Sequence, residues 1–177
     1  MSFFANIDVI TLKFATLNQE EGMSLFSTAS NRQVNIGLTL LRVIVGAIFV
    51  AHGAQKIFVF GFDGVAGAFG QMGIPMAGIL GPFVALVELF GGLALIAGLL
   101  TRLASLGLLS TMVVAILQVH LKNGFFAPTG IEFPLSLLGS TAMIAITGAG
   151  RWSIDSLIGH RKIETVETKK IELRKAA

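Results

Sequence analysis

The sequence predicts an all-α membrane protein: an antiparallel four-transmembrane-helix bundle with a short interfacial helix between helices 1 and 2. Three observations carry this. Hydrophobic residues fill 54% of the 177 positions and charged residues only 13%, against about a quarter charged in soluble domains. Mean hydropathy is +0.81. The apolar residues are gathered into four continuous runs, each near the ~17–25 residues that cross hydrocarbon as a helix. The runs do not alternate and are too few to close a barrel, which argues against strands.

Residues 1–34 read as an N-terminal extension. Phe3, Ile7, Ile10, Phe14 and Leu17 fall on one helical stripe, with Asn6, Asp8, Thr11 and Lys13 between them. That pattern suits an amphipathic helix lying in the membrane interface, and equally a weakly ordered tail. The segment lacks the basic and apolar regions of a signal peptide. Met1 and Met23 both remain open as the natural start.

Residues 35–158 form the membrane domain. Its apolar runs are 36–60, 79–100, 103–121 and 133–149. The glycine-rich connection 61–78 carries Val65, Phe69 and Met72 on one face, which predicts a short interfacial or re-entrant helix. Thr101-Arg102 is a tight turn, making the second and third spans antiparallel neighbours. Asn123-Gly124 and Pro128 mark a surface loop. Residues 159–177 form a charged tail of mixed sign.

Basic residues orient the bundle. Arg32, Arg102, Arg151, Arg161 and Lys162 flank one side, and only Lys56 and Lys122 the other. Four spans with both termini in the cytoplasm fit this without exception. The net charge of +3 is spread around the spans, and no nucleic-acid motif is present, so no nucleic-acid partner is expected. Cysteine and tyrosine are absent, which excludes thiol chemistry, Cys-ligated metals and tyrosyl relays. The histidine and carboxylate spacing fits no local ligand motif, so no metal site is expected.

Ionisable side chains inside a bilayer usually face the bundle interior and mark function. At ~1.5 Å per residue, His52 lies ~12 Å and Glu88 ~14 Å from the outer ends of their helices. Gln118 and His120 end the third helix near the outer interface, Glu132 opens the fourth there, and Gln55, Lys56 and Lys122 lie close to that interface. Arg42, His52 and Lys56 share an arc of about 80° on the first helix. Glu88 must pair or be protonated, with His52 or Lys56 as partner. Glu88, His52 and Lys56 are the candidate catalytic residues. His52, Gln55, Glu88, Gln118 and His120 are the candidate cofactor-binding residues. An ion pair that only fixes helix register is the competing reading. Arg42 is expected to snorkel or to pair locally. Gly91, Gly92, Gly98, Gly107 and Gly139 are expected to let helices approach closely.

Leu41-Arg42, His52-Gly53-x-x-Lys56, Gly73-Ile74-Pro75, Glu88-x-x-Gly91-Gly92, Gly98-Leu99-x-Thr101-Arg102 and Gly148-x-Gly150-Arg151-Trp152-Ser153-Ile154-Asp155 occur in this order. Together they resemble the DoxX family of small bacterial membrane proteins, over about residues 35–158. The resemblance implies a four-helix protein of the bacterial inner membrane. It also implies kinship with the small quinone-reducing subunit of thiosulfate:quinone oxidoreductase, and links to quinones, catechols or oxidative stress. The expected function is therefore a quinone-linked oxidoreductase or the membrane subunit of a redox complex. The cofactor itself is unknown, with quinone as the candidate, which a slot lined by Phe49, Phe58, Phe69 and Phe83 could take. The alternative is a non-catalytic scaffold that anchors soluble redox partners on the cytoplasmic side through residues 151–175. The lipid bilayer and a homo-oligomer complete the expected partners.

Overall fold

The computed structural model describes residues 28–159. The apolar stripe 3–17 and the tail beyond 159 lie outside them. The chain divides into two units between residues 31 and 32, and the helical frame from residue 32 onward belongs to the second.

The described residues are organised by helices. Helix α1, Asn31–Ala54, continues directly into a π-helical segment, Gln55–Phe60. Gly61 then takes φ 68°, a conformation that suits glycine alone. Helix α2 occupies Gly61–Gln71. Helix α3 is Ala77–Ala97 and α4 is Thr101–Ala115. α4 is prolonged by a second π segment, Ile116–His120, and a 3₁₀ turn, Leu121–Asn123. Helix α5 is Glu132–Thr147, and a further helix begins at residue 154.

Three helical stretches are long and apolar enough to cross a membrane: Asn31–Gln71, Ala77–Ala97 and Thr101–Asn123. α5 is apolar but has only 16 residues. The first stretch runs 11 residues past the expected end at 60, because the π segment hands the chain straight to α2. α2 packs on α3, where a Cβ at Gly81 would come within 3.1 Å of the Ala66 nitrogen.

The core is small and drawn from four helices. Val45 and Phe49 of α1, Leu95 of α3, Leu108 and Met112 of α4, and Leu137 and Ile144 of α5 form one buried cluster. Phe58, Val59, Ile79, Phe90 and Ile146 instead stand exposed, as expected of side chains that lipid would cover. Two buried hydroxyls bond back to their own helices: Ser105 to the Thr101 carbonyl at 2.7 Å, and Thr141 to that of Leu137 at 2.8 Å. An apolar surrounding allows little else.

A polar clasp closes one end. Arg42 is buried. Its Nη1 donates to the Ala149 carbonyl at 2.6 Å and its Nη2 to that of Trp152 at 2.7 Å. Arg42 thus neither snorkels nor pairs locally. It holds a segment more than a hundred residues away. Asp155 accepts hydrogen bonds from the amides of Leu100 and Thr101, at 2.8 and 2.9 Å. It caps α4 from outside, where Leu100 in the left-handed region (φ 47°) starts the helix.

Candidate functional site

The end of α1 positions the site. Gly46 and Gly53 lie two turns apart on α1, so they share a face. A Cβ at Gly46 would fall 2.7 Å from the Gly92 carbonyl oxygen, and one at Gly53 would fall 2.8 Å from the Leu89 Cα. Only hydrogen fits at either position, so the backbones of α1 and α3 touch. Glu88 immediately precedes Leu89, and Lys56 sits one turn beyond Gly53. That approach brings the Lys56 ammonium onto Glu88 Oε2 as an ion pair and hydrogen bond. Glu88 is 4% exposed. An unpaired carboxylate there would be costly, and the ammonium offsets that cost.

A cavity of about 300 Å³ opens beside this pair. α1 contributes Phe49 and His52, its π extension Lys56, and α3 Glu88. α4 and its π extension contribute Met112, Ala115 and His120. The 124–131 loop and α5 contribute Pro128, Phe133, Pro134 and Leu137. Polar groups thus converge within otherwise apolar walls, the usual build of a small-molecule site. The His52 ring stands 6.1 Å from the Phe133 ring, tilted by 48°. Lys56 and His120 both sit in π segments, a rare geometry that recurs at functional sites.

His120 is held by the loop. Its Nδ1 lies 2.7 Å from the Thr129 carbonyl oxygen. A carbonyl only accepts, so Nδ1 carries the proton, and Nε2 of the neutral ring is left as an acceptor. The loop is itself tied down. The Ile131 amide donates to the Gly124 carbonyl at 3.1 Å, and the Glu132 amide to that of Phe125 at 3.0 Å. Glu132 Oε1 accepts from the Ala127 amide at 2.7 Å. Glu132 therefore braces the loop and does not line the cavity.

Of the sequence candidates, His52, Lys56, Glu88 and His120 come together around the cavity. Gln55 and Gln118 do not line it, and both are exposed. Lys56 and His120, the neighbours of these glutamines in the same π segments, take the cavity side instead. Of the expected phenylalanine slot only Phe49 lines the cavity. Phe58 and Phe83 point outward at 78% and 58% exposure, and Phe69 is half-buried elsewhere. Phe133 supplies the aromatic wall instead. It opens the fourth apolar run directly after Glu132, and nothing in the sequence alone singles it out from the other phenylalanines.

Residues 37–121 match the family model described as DoxX. The chain is 34% identical over 128 residues to "Putative oxidoreductase CatD" of Bacillus subtilis, covering 72% of this chain and 91% of that protein. It is 33% identical over 132 residues to the "Uncharacterized membrane protein Rv3486" of Mycobacterium tuberculosis, covering 68% of this chain and 80% of that one. It is 32% identical over 131 residues to the "Inner membrane protein YqjF" of Escherichia coli, covering 72% and 95%. No solved structure matches. With these relatives and this helical frame, the chain belongs to the DoxX family of membrane proteins.

Proposed function

We propose that the chain is a multi-pass inner-membrane protein that binds a quinone in the cavity beside Lys56 and Glu88. It serves there as a quinone-linked oxidoreductase or as the membrane subunit of a redox complex. One observation carries this reading. Two imidazoles and an ion pair on a buried carboxylate line the same aromatic-walled cavity. Lys56 would donate to one quinone oxygen. Glu88 and the His120 Nε2 would hold and pass protons, and Phe49 and Phe133 would flank the ring. Reduction of a quinone takes up two electrons and two protons. A chain without cysteine would draw the electrons from a soluble redox partner on the cytoplasmic side. The name of CatD as an oxidoreductase and of YqjF as an inner-membrane protein supports the reading.

In this proposal α5 is the fourth span and α2 lies in the interface. Sixteen residues rise only ~24 Å, so the bilayer would thin slightly around α5. The excess of Lys and Arg around the clasp end supports cytoplasmic termini.

Binding and turnover of a short-chain quinone by purified wild type and Glu88→Gln test the proposal. The variant is expected to lose at least tenfold in turnover. Equal binding by both proteins, with turnover by neither, overturns it. The second reading, a non-catalytic scaffold, has one observation in its favour: Lys56 and Glu88 already satisfy each other. It requires that Glu88→Gln lower stability alone.

A further inference from the structure

A second pocket, of about 500 Å³, lies at the clasp end and is lined by Arg32, Asn35, Arg151, Trp152, Ser156 and Leu157. His52 is seventeen residue steps along α1 from Asn35. At ~1.5 Å each that is about 25 Å, close to the thickness of a hydrocarbon core. The pocket and the quinone cavity therefore sit at opposite membrane faces.

The pocket is pre-built from below. The buried Arg42 guanidinium grips the carbonyls of Ala149 and Trp152. Asn35 Oδ1 accepts the Arg151 amide at 2.8 Å. Residues 149–152 are thus fixed against the start of α1, and the side chains of Arg151 and Trp152 are presented at a set place. The Arg32 and Arg151 side chains are exposed, and neither forms an ion pair among the described residues. Two guanidiniums without carboxylate partners there, beside one pocket, make a phosphate-shaped donor set.

The remaining wall is apolar. Trp152 is 57% exposed and Leu157 66%, and Ile158 next to it is also exposed. A free phosphate has no use for such a wall. A phospholipid does, because its glycerol and first methylenes adjoin the phosphate. Tryptophan at the level of the headgroups is itself a mark of the interface, and basic pockets on the cytoplasmic face recognise anionic headgroups.

We propose that this pocket binds the phosphate of an anionic phospholipid, with Arg32 and Arg151 on the phosphate and Trp152 and Leu157 against the glycerol and upper acyl chain. The proposal is independent of the quinone reading, since no cavity residue enters it.

Trp152 is the single tryptophan of the sequence, so its fluorescence reports this pocket directly. The full chain is reconstituted in phosphatidylcholine vesicles and doped with brominated phosphatidylglycerol or with brominated phosphatidylcholine. The anionic lipid is expected to quench Trp152 at a mole fraction on the order of tenfold lower than the neutral one. The double variant Arg32→Gln/Arg151→Gln is expected to erase that difference while melting as the wild type does in neutral lipid. Inorganic phosphate is expected to leave the quenching unchanged. Equal quenching of the wild type by both lipids overturns the proposal. So does a preference that survives in the double variant. Relief by inorganic phosphate also overturns it and assigns a free-anion site instead. The wild-type comparison decides the lipid preference even if the variant fails to fold.

Discussion

Gly53 of α1 lies directly on the backbone of Leu89 of α3: a Cβ there would run into the Leu89 nitrogen and sit 2.8 Å from its Cα. Backbone cannot rotate away as a side chain can. Gly53→Ala must therefore push α1 off α3 and carry Lys56 away from Glu88. The expected cost is about 1–3 kcal/mol, read as a lower melting temperature in detergent. Gly37→Ala on the same helix is the control, since a Cβ there meets nothing within 4 Å. It is expected to be neutral or slightly stabilising.

The Lys56–Glu88 pair is unequal in burial, with side chains 21% and 5% exposed. Removing the better-solvated partner strands the deeper charge. Lys56→Met is therefore expected to cost more than Glu88→Leu, the former by roughly 3 kcal/mol or more. The double variant is expected to recover most of that stability, because two apolar side chains replace a pair that was costly to bury. It is also expected to lose quinone binding. Thermal melts of the three variants give the stability order, and a quinone titration of the double variant gives the binding.

His120 can be divided into its two nitrogens. In His120→Asn the side-chain amide can still donate to the Thr129 carbonyl, which keeps the loop in place, but it offers no acceptor at the Nε2 position. Melting is expected to stay close to wild type, while quinone turnover falls on the order of a hundredfold. His120→Gln reverses the arrangement and is expected to loosen the 124–131 loop, measurable as faster amide exchange there.

Asp155 sets a pH dependence. Burial pushes its carboxyl up, but the amides of Thr101 and Leu100 and the charge of Arg42 outweigh that and hold it below its ordinary value. A depressed value means that the ionised form stabilises the fold. The contribution is whole above the unfolded carboxyl's ~3.9 and fades as pH falls through the lower folded value. Asp155→Asn keeps one of the two acceptor oxygens and does not titrate, so the melting temperature of the wild type relative to this variant is expected to drop only below about pH 4. Asp155→Ala is expected to cost about 1 kcal/mol at neutral pH through loss of the cap.

Much of this was legible in the chain. The apolar runs located the long helices, since twenty apolar residues permit little else. Glu88, His52, Lys56 and His120 stood out as groups that hydrocarbon would not tolerate singly, and they do meet. What the sequence could not reveal is geometry that depends on a distant partner. Gly53 reads like any other glycine until Leu89 is laid against it. Arg42 and Asp155 answer to carbonyls and amides far along the chain, and no local pattern records that. Gln55 and Gln118 are candidates by depth along their helices, and depth does not say which way a side chain faces. The phenylalanine slot failed because an aromatic ring is as content in lipid as in a cavity.

The clasp also has a consequence for biosynthesis. Arg42 and the two carbonyls that its Nη groups bond are 107 and 110 residues apart. At ~5–20 residues per second, a ribosome takes roughly 5–20 s to produce those carbonyls after it has made the arginine. Throughout that interval the guanidinium needs water, lipid phosphate or the insertion machinery as a stand-in. The nascent bundle thus cannot complete this clasp until Trp152 has been translated.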